Sequence, residues 1–287
     1  MTDQGIVQIQ HPAGHTAAVA LQGATVISWK VKGEEKLFVS SKAGLTGPAA
    51  IRGGIPVCFP IFGPPPKEAA FEKLKQHGFA RISKWSVETP VKTSDDGSVY
   101  AVFSLLPTPE IKAVFEPDFA LSYTVTLFKT GALETALKVI NPSSSETLRF
   151  QSLLHTYLRL PKGVQPADTK IRALDGLKFI DKPAGGVIKT QEQEDVRFEG
   201  ETDRVYYDAH RDASLEKLDG TPIVQVQKAN WADFTVWNPH KAKSDALGDM
   251  EADGWTRFVC IEPGHCKDFA QVAPGQTSIS SQILVPA

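Results

Sequence analysis

Arg52, Gln76, His77, Arg81, His155 and Glu262 stand in this chain where a strand core or a tight turn is ordinarily bland. Their types supply two anion holders, an amide, an acid and a base. In residues 51–63, IRGGIPVCFPIFG, Arg52 abuts Gly53 and Gly54. Glycine lets backbone approach a ligand closely, and a guanidinium presents a planar fork of donors to an oxyanion. In residues 76–81, QHGFAR, an amide, an imidazole and a guanidinium crowd around Gly78 and Phe79. Two arginines in glycine-containing turns suit a dianion such as a phosphate ester, which carries about −1.5 to −2 charge at neutral pH. Taken singly, either one is most simply a solvated charge beside a turn.

His155 lies amid the apolar residues of 150–160, FQSLLHTYLRL, and Glu262 ends an apolar run in 258–264, FVCIEPG. A lone histidine in such a strand is most often a hydrogen-bonded core residue, and a glutamate before Pro-Gly a turn residue. Together they offer an acid and a base from separate segments, and their spacing does not say that they meet. With a reference pKa near 4.3, Glu262 is expected to be ionised at neutral pH; His155, near 6.5, needs a carboxylate or phosphate beside it to stay protonated.

Other chemistries find less support. The remaining histidines, His11, His15, His210, His240 and His265, form no close-spaced set with a carboxylate, as a metal-dependent isomerase would want. Cys260 and Cys266 bracket His265 without zinc-ligand spacing, so no metal is expected. Three sparse cysteines read as buried thiols in a reducing compartment. The G-x-S-x-G nucleophile elbow and the glycine-rich phosphate loop are both missing from the sequence. Trp231, Trp237 and Trp255 read as core aromatics before they read as sugar platforms.

The frame that must carry these groups reads as sheet. Glycine and proline, 22 and 20 residues, are spread along the 287-residue chain. They punctuate segments that alternate apolar and polar residues, the period of half-buried strands. Residues 16–21, 24–30, 98–106, 120–129, 133–141, 147–160, 223–227, 257–261 and 278–285 follow this pattern. Helical signals are confined to 66–75, PKEAAFEKLK, and the shorter 214–218; residues 194–204 and 241–253 read as polar loops. These elements predict an all-β fold, a large antiparallel β-sandwich, and no composition shift divides it, so residues 1–287 read as one domain.

With 31 Lys+Arg against 33 Asp+Glu, the net charge of −2 argues against a nucleic-acid partner. No apolar run reaches the roughly 20 residues of a membrane helix, and the first residues have no signal-peptide pattern, which makes a cytoplasmic protein the expectation. The absence of a coiled-coil seam favours a monomer.

In order, RGGIPVCFPIFGP, QHGFAR, LLHTYLR, TDRVY and FVCIEPG make the chain resemble the glucose-6-phosphate 1-epimerases (hexose-6-phosphate mutarotases) among the aldose 1-epimerases. The resemblance runs from about Thr16 to the C-terminus. It implies a galactose-mutarotase-like supersandwich with a sugar cleft on one concave sheet face. It further implies His155 as general acid and Glu262 as general base, acting without cofactor on a hexose 6-phosphate. Substrate contacts fall to Arg52, Gln76 and Arg81, with the arginines on the phosphate side; Asp203 in TDRVY is implied to bind sugar hydroxyls, and His77 to lie beside the sugar. The longer, charged stretch PPPKEAAFEKLK departs from a plain turn and reads either as a lip over the phosphate end or as passive surface. An epimerase of unphosphorylated sugars and a non-catalytic sugar-phosphate binder remain the alternatives.

Overall fold

A computed structural model describes residues 5–287. Nearly every regular element is a strand, and the paired strands run antiparallel in three sheets. Ile6–His11, His15–Ala20, Thr25–Val31 and Glu34–Glu35 form the first sheet in chain order. A nine-stranded sheet runs Val196–Arg197, Thr169–Arg172, Ala213–Lys217, Pro222–Ala229, Thr277–Pro286, Leu133–Ile140, Ala120–Leu127, Val99–Leu105, Ser86–Thr93. The third runs Val187–Thr190, Lys178–Asp181, Thr202–Tyr206, Asp233–Asn238, Phe258–Val272, Leu148–Leu154, Val57–Cys58, with Tyr157–Arg159 also paired to Phe258–Val272.

The alternation in the sequence is the alternation of the sheet faces. Along Val99–Leu105 the residues Val99, Ala101, Phe103 and Leu105 are buried while those between them are half exposed. Phe103 sits opposite Tyr123 on the next strand, so aromatic surface meets across the pair. The third sheet is covered on both sides, and Asp233–Asn238 is buried at all six positions. Phe234, Val236, Val259 and Ile261 point into the main core. On the opposite face, Tyr157, Trp237 and Cys260 form one small cluster, and Leu153, Val205 and Cys266 another. That second face carries the site.

Five local expectations change. Residues 66–75 form turns rather than a helix, with Phe71 and Leu74 buried and Phe71 packed on Phe115 and Phe269. Residues 214–218 fall mostly in the strand Ala213–Lys217, because Ala213 and Leu215 alternate inward at period two. The 194–204 stretch contributes Val196–Arg197 and the start of Thr202–Tyr206, and 241–253 begins inside the short helix His240–Asp245 before continuing as turns. In both stretches a few inward side chains anchor a polar segment. The strand expected over 147–160 is interrupted at His155 and Thr156, between Leu148–Leu154 and Tyr157–Arg159.

Candidate active site

That interruption positions His155. Its backbone N–H donates to the Pro56 carbonyl (3.0 Å) and that of Tyr157 to Gly54 (2.9 Å). Thr156 is buried, and its Oγ1 accepts from the Gln282 amide (2.9 Å), which also donates to Thr135 (3.1 Å). The sheet is thereby pinned at the kink by a closed polar network rather than by ladder bonds. Glu262 comes from the middle of Phe258–Val272, directly opposite Thr235. Its carboxylate oxygen Oε1 lies 3.2 Å from His155 Nδ1, and both side chains are almost fully buried. The contact lacks hydrogen-bond alignment: His155 Nδ1 and both Glu262 oxygens are buried without a hydrogen-bond partner.

A cavity of about 440 Å³ lies over this pair, and Arg52, Gln76, His77, Arg81, His155, Asp203 and Glu262 all line it. A second cavity of about 260 Å³ shares Arg52, Gln76, Arg81 and His155 with the first. The seven residues singled out in the sequence therefore meet in one cleft. Arg52 is gripped from two sides: Nε donates to Asp249 Oδ1 (3.0 Å) and one terminal nitrogen to the Tyr157 hydroxyl (3.3 Å). Of the five guanidinium N–H groups, three remain for a ligand. Arg81 donates to the Gln76 backbone carbonyl (2.9 Å), while its Nε is buried without a partner. His77 Nδ1 accepts from the Gly63 N–H (3.2 Å), and its Nε2 lies 3.2 Å from the Gln76 side-chain nitrogen.

The glycines beside Arg52 do something other than expected. A Cβ on Gly53 would lie 2.3 Å from the Phe38 carbonyl oxygen, and one on Gly54 2.2 Å from that of Val26. Their missing side chains let the arginine turn seat against the chain's own backbone, not against a ligand.

The cleft holds further residues that sequence reasoning did not single out. Lys182 pairs with Asp203 Oδ1 (3.1 Å) and lies over the Phe62 ring, 4.3 Å from its centroid. Tyr157 stacks on His155 with centroids 4.7 Å apart and planes within 14°. Trp237, read as core, meets the His155 ring edge-on at 5.5 Å and lines the larger cavity. Tyr157 carried a signal, since it stands two residues after His155; Lys182, Trp237 and Asp249 sit in no pattern that marks them.

Burial dominates the electrostatics. It pushes Glu262 well above the usual carboxylate range, helped by the negative Asp203 and opposed by Lys182 and Arg81. It pulls His155 well below the usual histidine range, reinforced by His77, Arg81 and Arg52. The free cleft thus favours a neutral pair, the reverse of the ionised Glu262 that its reference pKa suggested. His77 is likewise held neutral by burial and by Arg81. His155, Cys260 and Glu262 place donor atoms within 4.8 Å of one another. Burial drives the Cys260 thiol well above its ordinary range, so in the free cleft a protonated thiol stands beside the His155–Glu262 pair.

The fold is thus a large β-sandwich, and His155 and Glu262 meet in its cleft. The aldose 1-epimerase family model matches residues 5–284, and the chain belongs to that family. A protein of Escherichia coli (strain K12) named "Putative glucose-6-phosphate 1-epimerase" is 31% identical over 270 residues, covering 93% of this chain and 85% of its own length. A Cenchrus ciliaris protein of the same name is 28% identical over 265 residues, covering 91% and 78% respectively. The crystal structure of YeaD from Salmonella typhimurium superposes with a TM-score of 0.86 at 28% identity, covering 98% of this chain and 90% of that one.

Proposed function

We propose that this chain interconverts the α and β anomers of hexose 6-phosphates, chiefly glucose 6-phosphate. One observation carries the reading: Arg52 and Arg81 line the same cleft as the buried His155–Glu262 pair. Anomer exchange opens the hemiacetal, turns the aldehyde about C1–C2 and closes the ring again. Opening needs the proton of the anomeric hydroxyl removed and another delivered to the ring oxygen. Glu262 takes the first onto its carboxylate and His155 gives the second; the C1–O5 bond breaks as the C1–O1 double bond forms. Closure returns both protons along the same paths, so the enzyme ends as it began.

The arginines favour a phosphorylated sugar over a free one. Hydrogen bonds to charged groups contribute about 1.5–3 kcal/mol each. Removal of either arginine is therefore expected to weaken glucose 6-phosphate recognition by roughly 10–150-fold, at 1.4 kcal/mol per decade. Asp203, in the same cleft, is assigned to sugar hydroxyls, with Gln76 and His77 beside it.

The test is exchange NMR on the anomeric protons of glucose 6-phosphate and of glucose with catalytic amounts of protein. Acceleration of the phosphate ester alone is expected, and Glu262→Gln is expected to abolish it while the sugar phosphate still binds. Acceleration of glucose alone would reject the phosphate assignment. Acceleration of neither would leave a sugar-phosphate binding protein.

A further inference from the structure

Tyr157 touches both halves of the cleft. Its hydroxyl accepts from Arg52 (3.3 Å), and its ring lies against the imidazole of His155 with centroids 4.7 Å apart. The ring is fully buried, meeting Trp237 edge-on at 5.8 Å and Phe258 at a tilt at 5.0 Å. It cannot shift without moving a neighbour, and close-packed interiors resist such movement. Arg52 and the imidazole are therefore held as one unit through a single phenol.

We propose that Tyr157 is a positioning residue joining the anion-holding Arg52 to the acid His155, so that a dianion on the arginines arms the His155–Glu262 pair as well as anchoring the sugar. This inference rests on the mutarotase reading above. His155 is faced by His77 and Arg81 from the 76–81 segment and by Arg52 from its glycine turn. Tyr157 stacks on it, Trp237 presents an edge, and Cys260 and Glu262 approach from Phe258–Val272. In the empty cleft, burial together with Arg81 and Arg52 keeps His155 neutral, while burial and Asp203 hold the proton on Glu262 against the pull of Lys182 and Arg81. A dianion between Arg52 and Arg81 offsets their charge, and His155 becomes the better proton holder.

One proton then passes from Glu262 to His155 as Oε1 and Nδ1, 3.2 Å apart but unaligned in the empty cleft, turn into hydrogen-bond alignment. The pair becomes a carboxylate base and an imidazolium acid, with no atom gained or lost and no further reactant needed. The phosphate ester thus spends part of its remote binding energy on the reacting centre rather than on affinity alone.

The test separates the sugar from the anion. D-xylose has the glucose pyranose ring without C6, and inorganic phosphite supplies a dianion that fits beside it. Anomer exchange of xylose is measured with and without phosphite, on the wild-type protein and on Tyr157→Phe, across pH. Phosphite is expected to accelerate wild-type exchange within the roughly 5–150-fold span of two-site couplings. Tyr157→Phe is expected to erase the ratio of the two rates, and to lower kcat for glucose 6-phosphate more than it raises KM. A merely structural role would lower both xylose rates together and leave their ratio intact, overturning the assignment. Wild-type protein that exchanges glucose 6-phosphate but shows no phosphite acceleration of xylose would overturn this inference alone. Protein that exchanges neither sugar would overturn the mutarotase reading itself.

Discussion

Glu262 pays for its position in stability, and the sign can be worked out. Burial raises its pKa in the folded protein above the unfolded value of about 4.3. Between those two values the folded state holds more protons than the unfolded chain, so stability falls as pH rises through that window. His155 slopes the other way: its folded pKa is depressed, so stability is lost as pH falls below about 6.5. Glu262→Gln removes the first decline and leaves the second. The variant should unfold with a stability close to that of the parent near pH 4, and exceed it by a margin that widens as pH rises. Denaturant titrations from pH 4 to 9 measure this, and a constant difference would show that the buried carboxyl carries no pH-dependent cost. A site residue that weakens the fold it sits in is the usual trade between stability and activity.

At the scale of elements, the arginine turn is held by contact with its own chain. Gly54 has φ of +69° and would place a Cβ 2.2 Å from the Val26 carbonyl oxygen. Gly97 has φ of +83° but nothing within 4 Å. Alanine at Gly97 bears the backbone strain alone, on the order of 1–3 kcal/mol at most. At Gly54 it must also displace a strand that Ile55 and Gly54 hydrogen-bond into place through Val26 and Phe38. Gly54→Ala should therefore melt well below Gly97→Ala in calorimetry; equal melting temperatures would mean that the turn shifts freely. The sequence marked this turn but not its reason, because glycine spacing shows that a close approach occurs without showing to what. Strand alternation in 99–105 and 133–140 was legible because each strand has one buried face. PKEAAFEKLK was not, since its apolar residues fit a helix while Phe71 is claimed by Phe115 and Phe269 from distant segments. In the site, Arg52, Arg81, His155 and Glu262 stood out by type in apolar or glycine-rich settings. Asp249 lies 197 residues from the Arg52 that it orients, a pairing visible only after folding.

Over the whole molecule the net charge is −2, so the general field does not draw in a dianion. The attraction must be local. Within the cleft, Arg52 is paired with Asp249, Lys182 with Asp203 and Lys243 with Glu201. Arg81 instead donates to a carbonyl, and among the described residues it has no carboxylate within ion-pair distance, leaving the cleft one uncompensated positive charge. A cleft with low-dielectric walls focuses such a charge, and its reach is set by salt: the screening length falls from about 30 Å at 0.01 M to about 8 Å at 0.15 M. Under the proposed function, kcat/KM for glucose 6-phosphate should fall severalfold over that salt range while any rate on glucose stays flat. Arg81→Gln and Arg52→Gln should each flatten the salt dependence, because each removes one positive charge from the cleft and Arg52→Gln also leaves Asp249 unmatched. Slopes unchanged from the wild type in both variants would place the attraction outside the cleft. The matched pairs would then serve as fixed donors, with selectivity for the phosphate resting on contact geometry alone.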